Sequence, residues 1–165
     1  MPRTQRTHRT HDPGTEPFLR VLRPLVETYF AFVRRDDRHI RALGLTSAQF
    51  DVIATLGDTT GMPCAELSDK TLVTKGTLTG VLDRLEARGE IERVPSETDR
   101  RSIIVRLTPK GKRLFQRVFP AHIYYMKPYF ERALTERQMT DLRNLLLGLK
   151  KVLLSDERGW HEKTV

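Results

Sequence analysis

The segment from Leu85 to Gly111, LEARGEIERVPSETDRRSIIVRLTPKG, constrains the fold more than any other part of the chain. A run with helical apolar spacing stops at Gly89, a residue type suited to the left-handed turn that ends helices. Ile91 to Val94 then read as a short strand. Ser102 to Leu107 read as a second, in which Ile103, Val105 and Leu107 alternate with Ile104 and Arg106. Between them lies a charged turn carrying Asp99, Arg100 and Arg101. Thr108 and Pro109 then supply a cap and a first-turn proline for a further helix. The pattern describes a two-stranded wing with arginines at its tip, joined to a helix that a DNA groove can admit.

The residues before this segment supply that helix. Thr46 and Gln49 have capping-box spacing, and Leu45 and Phe50 stand at the two hydrophobic-staple positions, so a helix should run to about Leu56. A short helix over about Pro63 to Lys70 leads to a turn at Thr71, Leu72 and Val73. Thr74 then opens a helix with Leu78, Val81, Leu82 and Leu85 on one face. Two helices separated by about four residues read as a helix-turn-helix. The two segments over 91–107 are the only strands expected.

The flanks are helical. Leu22, Val26, Tyr29, Val33, Ile40 and Leu43 recur at near-helical spacing, with Gly44 as a stop and Pro24 as a bend or a late start. After Thr108, Leu114, Phe115, Val118 and Phe119 continue a helix that Pro120 and Pro128 are expected to interrupt. Thr135 and Gln138 form another capping box, before an apolar stripe of Met139, Leu142, Leu145, Leu146, Leu149, Val152 and Leu153. The chain is therefore read as mostly α with a small β-hairpin wing: a winged helix-turn-helix over 46–111 and a helical dimerisation region over 16–45 and 112–155. Residues 1–15 and 156–165 are read as a flexible arm and tail.

With 29 Lys and Arg against 21 Asp and Glu, the 165-residue chain carries a formal charge of +8, which favours a polyanionic partner. The excess is local. Residues 93–113 hold seven cations (Arg93, Arg100, Arg101, Arg106, Lys110, Lys112, Arg113) against Glu97 and Asp99. A generally solvated basic surface is the alternative. No run of about 18 apolar residues exists for a membrane span, and the N-terminus lacks the apolar core of a secretory signal. A cytoplasmic location is expected by default. The single cysteine, Cys64, rules out an intrachain disulfide.

At the start of a recognition helix, side chains reach base edges and phosphates. Here they are Thr74, Lys75, Gly76, Thr77 and Thr79. Hydroxyls and free backbone N–H groups suit phosphate oxygens, and Lys75 adds charge. Gly76 and Gly80 weaken the helix, and either permit close approach to DNA or allow tight crossing by another helix. At the wing tip, Arg101 is assigned to the minor groove and Arg100 to phosphate, with Asp99 positioning an arginine by an ion pair. A solvated turn with an ordinary surface ion pair is the alternative there. No glycine-rich phosphate loop, nucleophile elbow or His/Glu metal motif is present, so neither an enzyme nor a cofactor is expected.

Leu82-Asp83-Arg84-Leu85-Glu86, Gly89, Ile91, Arg93, Asp99-Arg100-Arg101 and Leu107-Thr108-Pro109-Lys110-Gly111 together resemble the winged core of the MarR (multiple antibiotic resistance regulator) family of bacterial transcription factors. The resemblance spans about residues 16–155, by motif in the middle and by pattern at the ends. It implies a homodimer that places two recognition helices in successive major grooves of a pseudo-palindromic operator in double-stranded DNA. It makes Arg93 and Asp99 supports of the wing. It also implies a repressor that answers to a small aromatic or phenolic anion, with Tyr29, Phe30, Arg34, His39 and Phe50 as candidate ligand residues and Tyr124 and Tyr125 further along. Phe30 and Phe50 read as core positions ahead of ligand ones, and His39 as a surface or satisfied core histidine. Cys64 lies on the wrong element for the redox-sensing relatives and reads as a buried structural cysteine. A winged helix serving as a protein-interaction module is the competing function.

Overall fold

The computed structural model describes Gly14, residues 16–96, Thr98, Asp99 and residues 101–156. Arg100, nearly all of the expected arm and most of the expected tail lie outside the described residues. The chain divides into two units, residues 1–47 and 48–165.

The first unit is dominated by α1 (Leu19–Ala42), which starts three residues after residue 16, where the helical region is expected to open. Pro24 lies inside it, so the proline is carried within the helix and does not delay it. Near its end the Asp37 carboxylate accepts from Arg41 Nε at 2.6 Å and from Ser47 Oγ at 3.0 Å. These two hydrogen bonds, in that order, hold its pKa below the ordinary carboxylate value.

The second unit contains α2 (Ser47–Leu56), whose first residue falls at the unit boundary, β1 (Met62–Pro63), α3 (Cys64–Lys70) and α4 (Lys75–Ala87). It continues through β2 (Ile91–Pro95), β3 (Ile103–Leu107), α5 (Pro109–Ala133) and α6 (Glu136–Asp156). The sheet has three strands in the order β1-β3-β2, all antiparallel neighbours. Its third strand corrects the expectation of two. Met62 pairs with Val105 and Pro63 with Ile104. The preceding Gly61 has φ +119° and lies so close to β3 that an added Cβ would meet Arg106 Cβ at 2.8 Å and the Val105 carbonyl oxygen at 3.0 Å. Two residues cannot show a strand period, so pairing with β3 alone reveals β1.

In the wing, Ile91 pairs with Leu107, Arg93 with Val105 and Pro95 with Ile103. Val105 and Leu107 are buried as the alternation requires, whereas Ile103, at the far end of the hairpin, is 42% exposed. The core gathers Val52, Ile53 and Leu56 of α2, Leu67 of α3, and Leu78, Val81, Leu82 and Leu85 of α4. Ile91, Val105 and Val118 join them.

α5 is one continuous helix through Pro120 and Pro128, not the interrupted segment expected. Each proline removes one backbone donor. Leu114, Val118, His122 and Met126, spaced by four, form its buried face, which ends before Pro128. Packing on that face offsets the bond lost at Pro120, while the helix continues past Pro128 through an exposed stretch. Thr108 caps α5 by accepting from Gly111 N–H at 3.1 Å. The capping box of α6 is present too: Thr135 N–H donates to Gln138 Oε1 at 2.8 Å, and Gln138 N–H to Thr135 Oγ1 at 3.3 Å. α6 has no buried residue, although its leucines are numerous.

Candidate nucleic-acid interface

The burial pattern of α4 decides which of its residues can meet a ligand. Leu78, Val81, Leu82 and Leu85 turn inward, leaving Thr74, Lys75, Gly76, Thr77 and Thr79 exposed at the helix start. Thr74 is the N-cap residue, but its hydroxyl bonds the Thr77 hydroxyl at 3.0 Å and makes no cap bond to a backbone N–H. Thr77 N–H donates to the Thr74 carbonyl at 2.9 Å, which leaves the N–H groups of Lys75 and Gly76 for an acceptor from outside. Nothing lies within 4 Å of a Cβ built on Gly76, and only Arg84 Nη2, at 3.9 Å, near one on Gly80. Tight helix crossing thus accounts for neither glycine.

The far end of α4 is closed by a Schellman turn. Gly89 (φ +67°) donates to the Glu86 carbonyl at 2.7 Å and Glu90 N–H to the Leu85 carbonyl at 2.9 Å. Lys110 Nζ caps the adjoining Arg88 carbonyl at 2.6 Å. The helix is thereby tied to the base of the wing and to the start of α5.

Arg93, on β2, ties the middle of the wing to α4. Its Nη1 reaches Asp83 Oδ1 at 2.7 Å and Glu86 Oε2 at 2.9 Å, while its own N–H donates to Glu86 Oε1 at 3.2 Å. Partial burial works against its charge, but the hydrogen bond to Asp83 and the charges of Glu86 and Asp83 prevail and raise its pKa. Arg106 is occupied in the same way by Glu92 at 2.7 Å.

At the tip, Ser96 Oγ accepts from the N–H groups of Thr98 and Asp99, both at 3.3 Å. Asp99 Oδ1 accepts from the backbone N–H of Arg101 at 3.0 Å. Asp99 therefore shapes the turn through the backbone; Arg100, one of the two arginines expected to pair with it, lies outside the described residues. Arg101 is exposed, and among the described residues its guanidinium has no ion-pair partner.

The local cation excess seen in the sequence is thus partly internal. Arg93, Arg106 and Lys110 serve the fold, and Arg101 and Lys75 are presented to solvent. The family resemblance made Arg93 a wing support but could not reveal Asp83 and Glu86 as its partners. It also passed over Asp51, whose Oδ2 accepts the Leu72 N–H at 2.6 Å and pins the turn before α4.

The candidate ligand residues fall in both units. Tyr29 and Phe30 of α1 are 61% and 54% exposed with ring centroids 5.7 Å apart, so Phe30 is not a core residue. Arg34 Nε donates to the Phe30 carbonyl at 3.3 Å, and His39 is half-buried. Phe50 belongs to an aromatic cluster in the second unit, with His122 at 4.7 Å and Phe119 at 6.5 Å, and Phe115 stacks on Phe119 at 5.0 Å. Tyr124 is 73% exposed, and the Tyr125 ring meets Tyr129 edge-on at 5.8 Å. Cys64 is half-buried at the start of α3, not the fully buried cysteine expected.

An exposed helix start beside an ion-pair-braced hairpin defines a winged helix-turn-helix DNA-binding protein. A MarR family profile matches residues 43–102. The chain is 31% identical over 148 residues to the HTH-type transcriptional regulator PecS of Dickeya dadantii, covering 88% of each. Two solved structures share the fold. One is Streptococcus pneumoniae FabT in complex with DNA, with TM-score 0.66, 26% identity, and coverage of 84% of this chain and 98% of that one. The other is Bordetella bronchiseptica BpsR, whose DNA binding is regulated by 6-hydroxynicotinic acid, with TM-score 0.70, 25% identity, and coverage of 85% and 96%. The chain belongs to the MarR family and is a DNA-binding transcriptional regulator. Among the described residues, no helix is long and apolar enough to cross a membrane.

Proposed function

We propose that the protein is a homodimeric repressor acting in the cytoplasm on a pseudo-palindromic operator. Lys75, Thr74, Gly76, Thr77 and Thr79 enter the major groove, while Arg101 reaches the minor groove and Arg100 an adjacent phosphate. The observation that carries this reading is the division of labour among cations: Arg93 is held by Asp83 and Glu86, whereas Lys75 and Arg101 stand exposed. A protein-interaction module has no need of a bare cationic helix start braced beside a cationic wing.

The dimer is supported by apolar faces that the fold leaves uncovered. Phe18, Val21, Leu22 and Val26 on or beside α1, and Leu145, Leu149, Val152 and Leu153 on α6, are each more than 40% exposed. Burial between two protomers stabilises such stripes. A small aromatic anion relieves operator binding, by analogy with BpsR. Tyr29, Phe30, Arg34 and His39 of the first unit are the residues assigned to it.

Methylation interference on a duplex selected by the protein from a randomised pool tests the operator reading. Guanine N7 methylation should interfere at two half-sites about 10 base pairs apart, with adenine N3 methylation interfering beside each. Interference at a single site, or none in the minor groove, contradicts it.

A further inference from the structure

Leu72 is the most exposed large apolar side chain among the described residues, at 91%. It is not part of the apolar stripes of α1 or α6. It stands in the turn between α3 and α4, where its neighbours Thr71 and Val73 are buried and half-buried. Its backbone is fixed: Leu72 N–H donates to Asp51 Oδ2 at 2.6 Å, and Thr71 Oγ1 to the Leu67 carbonyl at 2.9 Å. A rigid turn therefore holds a leucine in water, three residues before Lys75. That length of chain reaches at most about 10 Å, so Leu72 borders the exposed start of α4.

The rest of this surface lacks the side chains that read bases by paired hydrogen bonds. Thr74, Lys75, Gly76, Thr77 and Thr79 include no Asn, Gln or Arg. The major groove offers one apolar feature, the C5 methyl of thymine, and it is recognised by apolar contact. We propose that Leu72 is a specificity-determining residue that packs on thymine methyl groups in the operator's major groove. The inference rests on the DNA-binding reading of α4 and adds to it a preference for thymine that hydroxyls and a lysine do not supply. Water leaves both the leucine and the methyl when they meet, which accounts for a side chain that contributes nothing to the core.

The test uses the full-length protein and a duplex recovered by its own selection from a randomised pool. Each thymine in turn is replaced by deoxyuridine, which deletes one methyl and keeps the base pair. The parent should bind about fourfold more weakly at one or two half-site positions, the loss expected for one buried methyl. Leu72→Ala should bind the thymine duplex more weakly and become indifferent to uracil there, and Leu72→Met should restore the sensitivity. Equal affinity of parent and Leu72→Ala, or an equal loss on thymine and uracil duplexes, overturns the proposal while leaving DNA binding intact. Failure of the parent to enrich or retain any duplex overturns the DNA-binding reading as well.

Discussion

Arg93 Nη1 and Asp83 Oδ1, 2.7 Å apart, join the wing to α4. Glu86 completes the clasp from the next turn of α4 at 2.9 Å. The carboxylates are 58% and 40% exposed, so water screens much of the attraction.

Arg93→Ala should therefore cost only about 1 kcal/mol of stability, read as a modest fall in the denaturant midpoint. Its effect on DNA binding should be larger than that loss predicts, because a wing freed from α4 must be ordered again on the operator. Affinity measured where the variant is fully folded checks this. Unchanged affinity would mean that the clasp is structural alone.

Glycine substitutions should separate folding from binding. Gly76→Ala meets no atom within 4 Å, so it should raise stability by up to about 1 kcal/mol while weakening DNA binding through the added bulk at the helix start. Gly111→Ala should do the reverse. Its Cβ would collide with the Glu90 carbonyl, whose oxygen also accepts Thr108 N–H at 3.1 Å, and the overlap should cost about 2 kcal/mol. Thermal denaturation and operator titration on the same samples distinguish the two.

The uncovered stripe of α6 is testable by charge. Leu145 and Leu153 are 72% and 62% exposed, so Leu145→Glu with Leu153→Glu leaves the protomer's core intact. The double variant should sediment as a monomer and lose most operator affinity. A dimer of parental stability would place the interface elsewhere.

The legible parts of this chain were those governed by local rules. The inward face of α4, the glycine that ends it and the capping box of α6 follow from spacing over a few residues. β1 was not legible, because Met62 and Pro63 form a strand only through β3. Nor was the continuity of α5 at Pro120, since the helix face buried around it packs on residues far away in sequence, such as Phe50 against His122. Formal charge was the least reliable guide to the site. Counting seven cations over 93–113 could not show that Glu92, the Asp83–Glu86 pair and the Arg88 carbonyl already hold three of them. The backbone role of Asp99 was not legible in the sequence either: a carboxylate two residues before an N–H can accept from it, as Asp99 does from Arg101.

The most direct test of the account is the salt dependence of duplex binding for the parent, Lys75→Ala, Arg101→Ala and the double variant. If both cations meet phosphates or the minor groove, each single substitution weakens binding and lowers the slope of log K against log salt by about 1, and the double lowers it by about 2. If all four proteins bind with one affinity and one slope, α4 and the wing are not the DNA-reading surface.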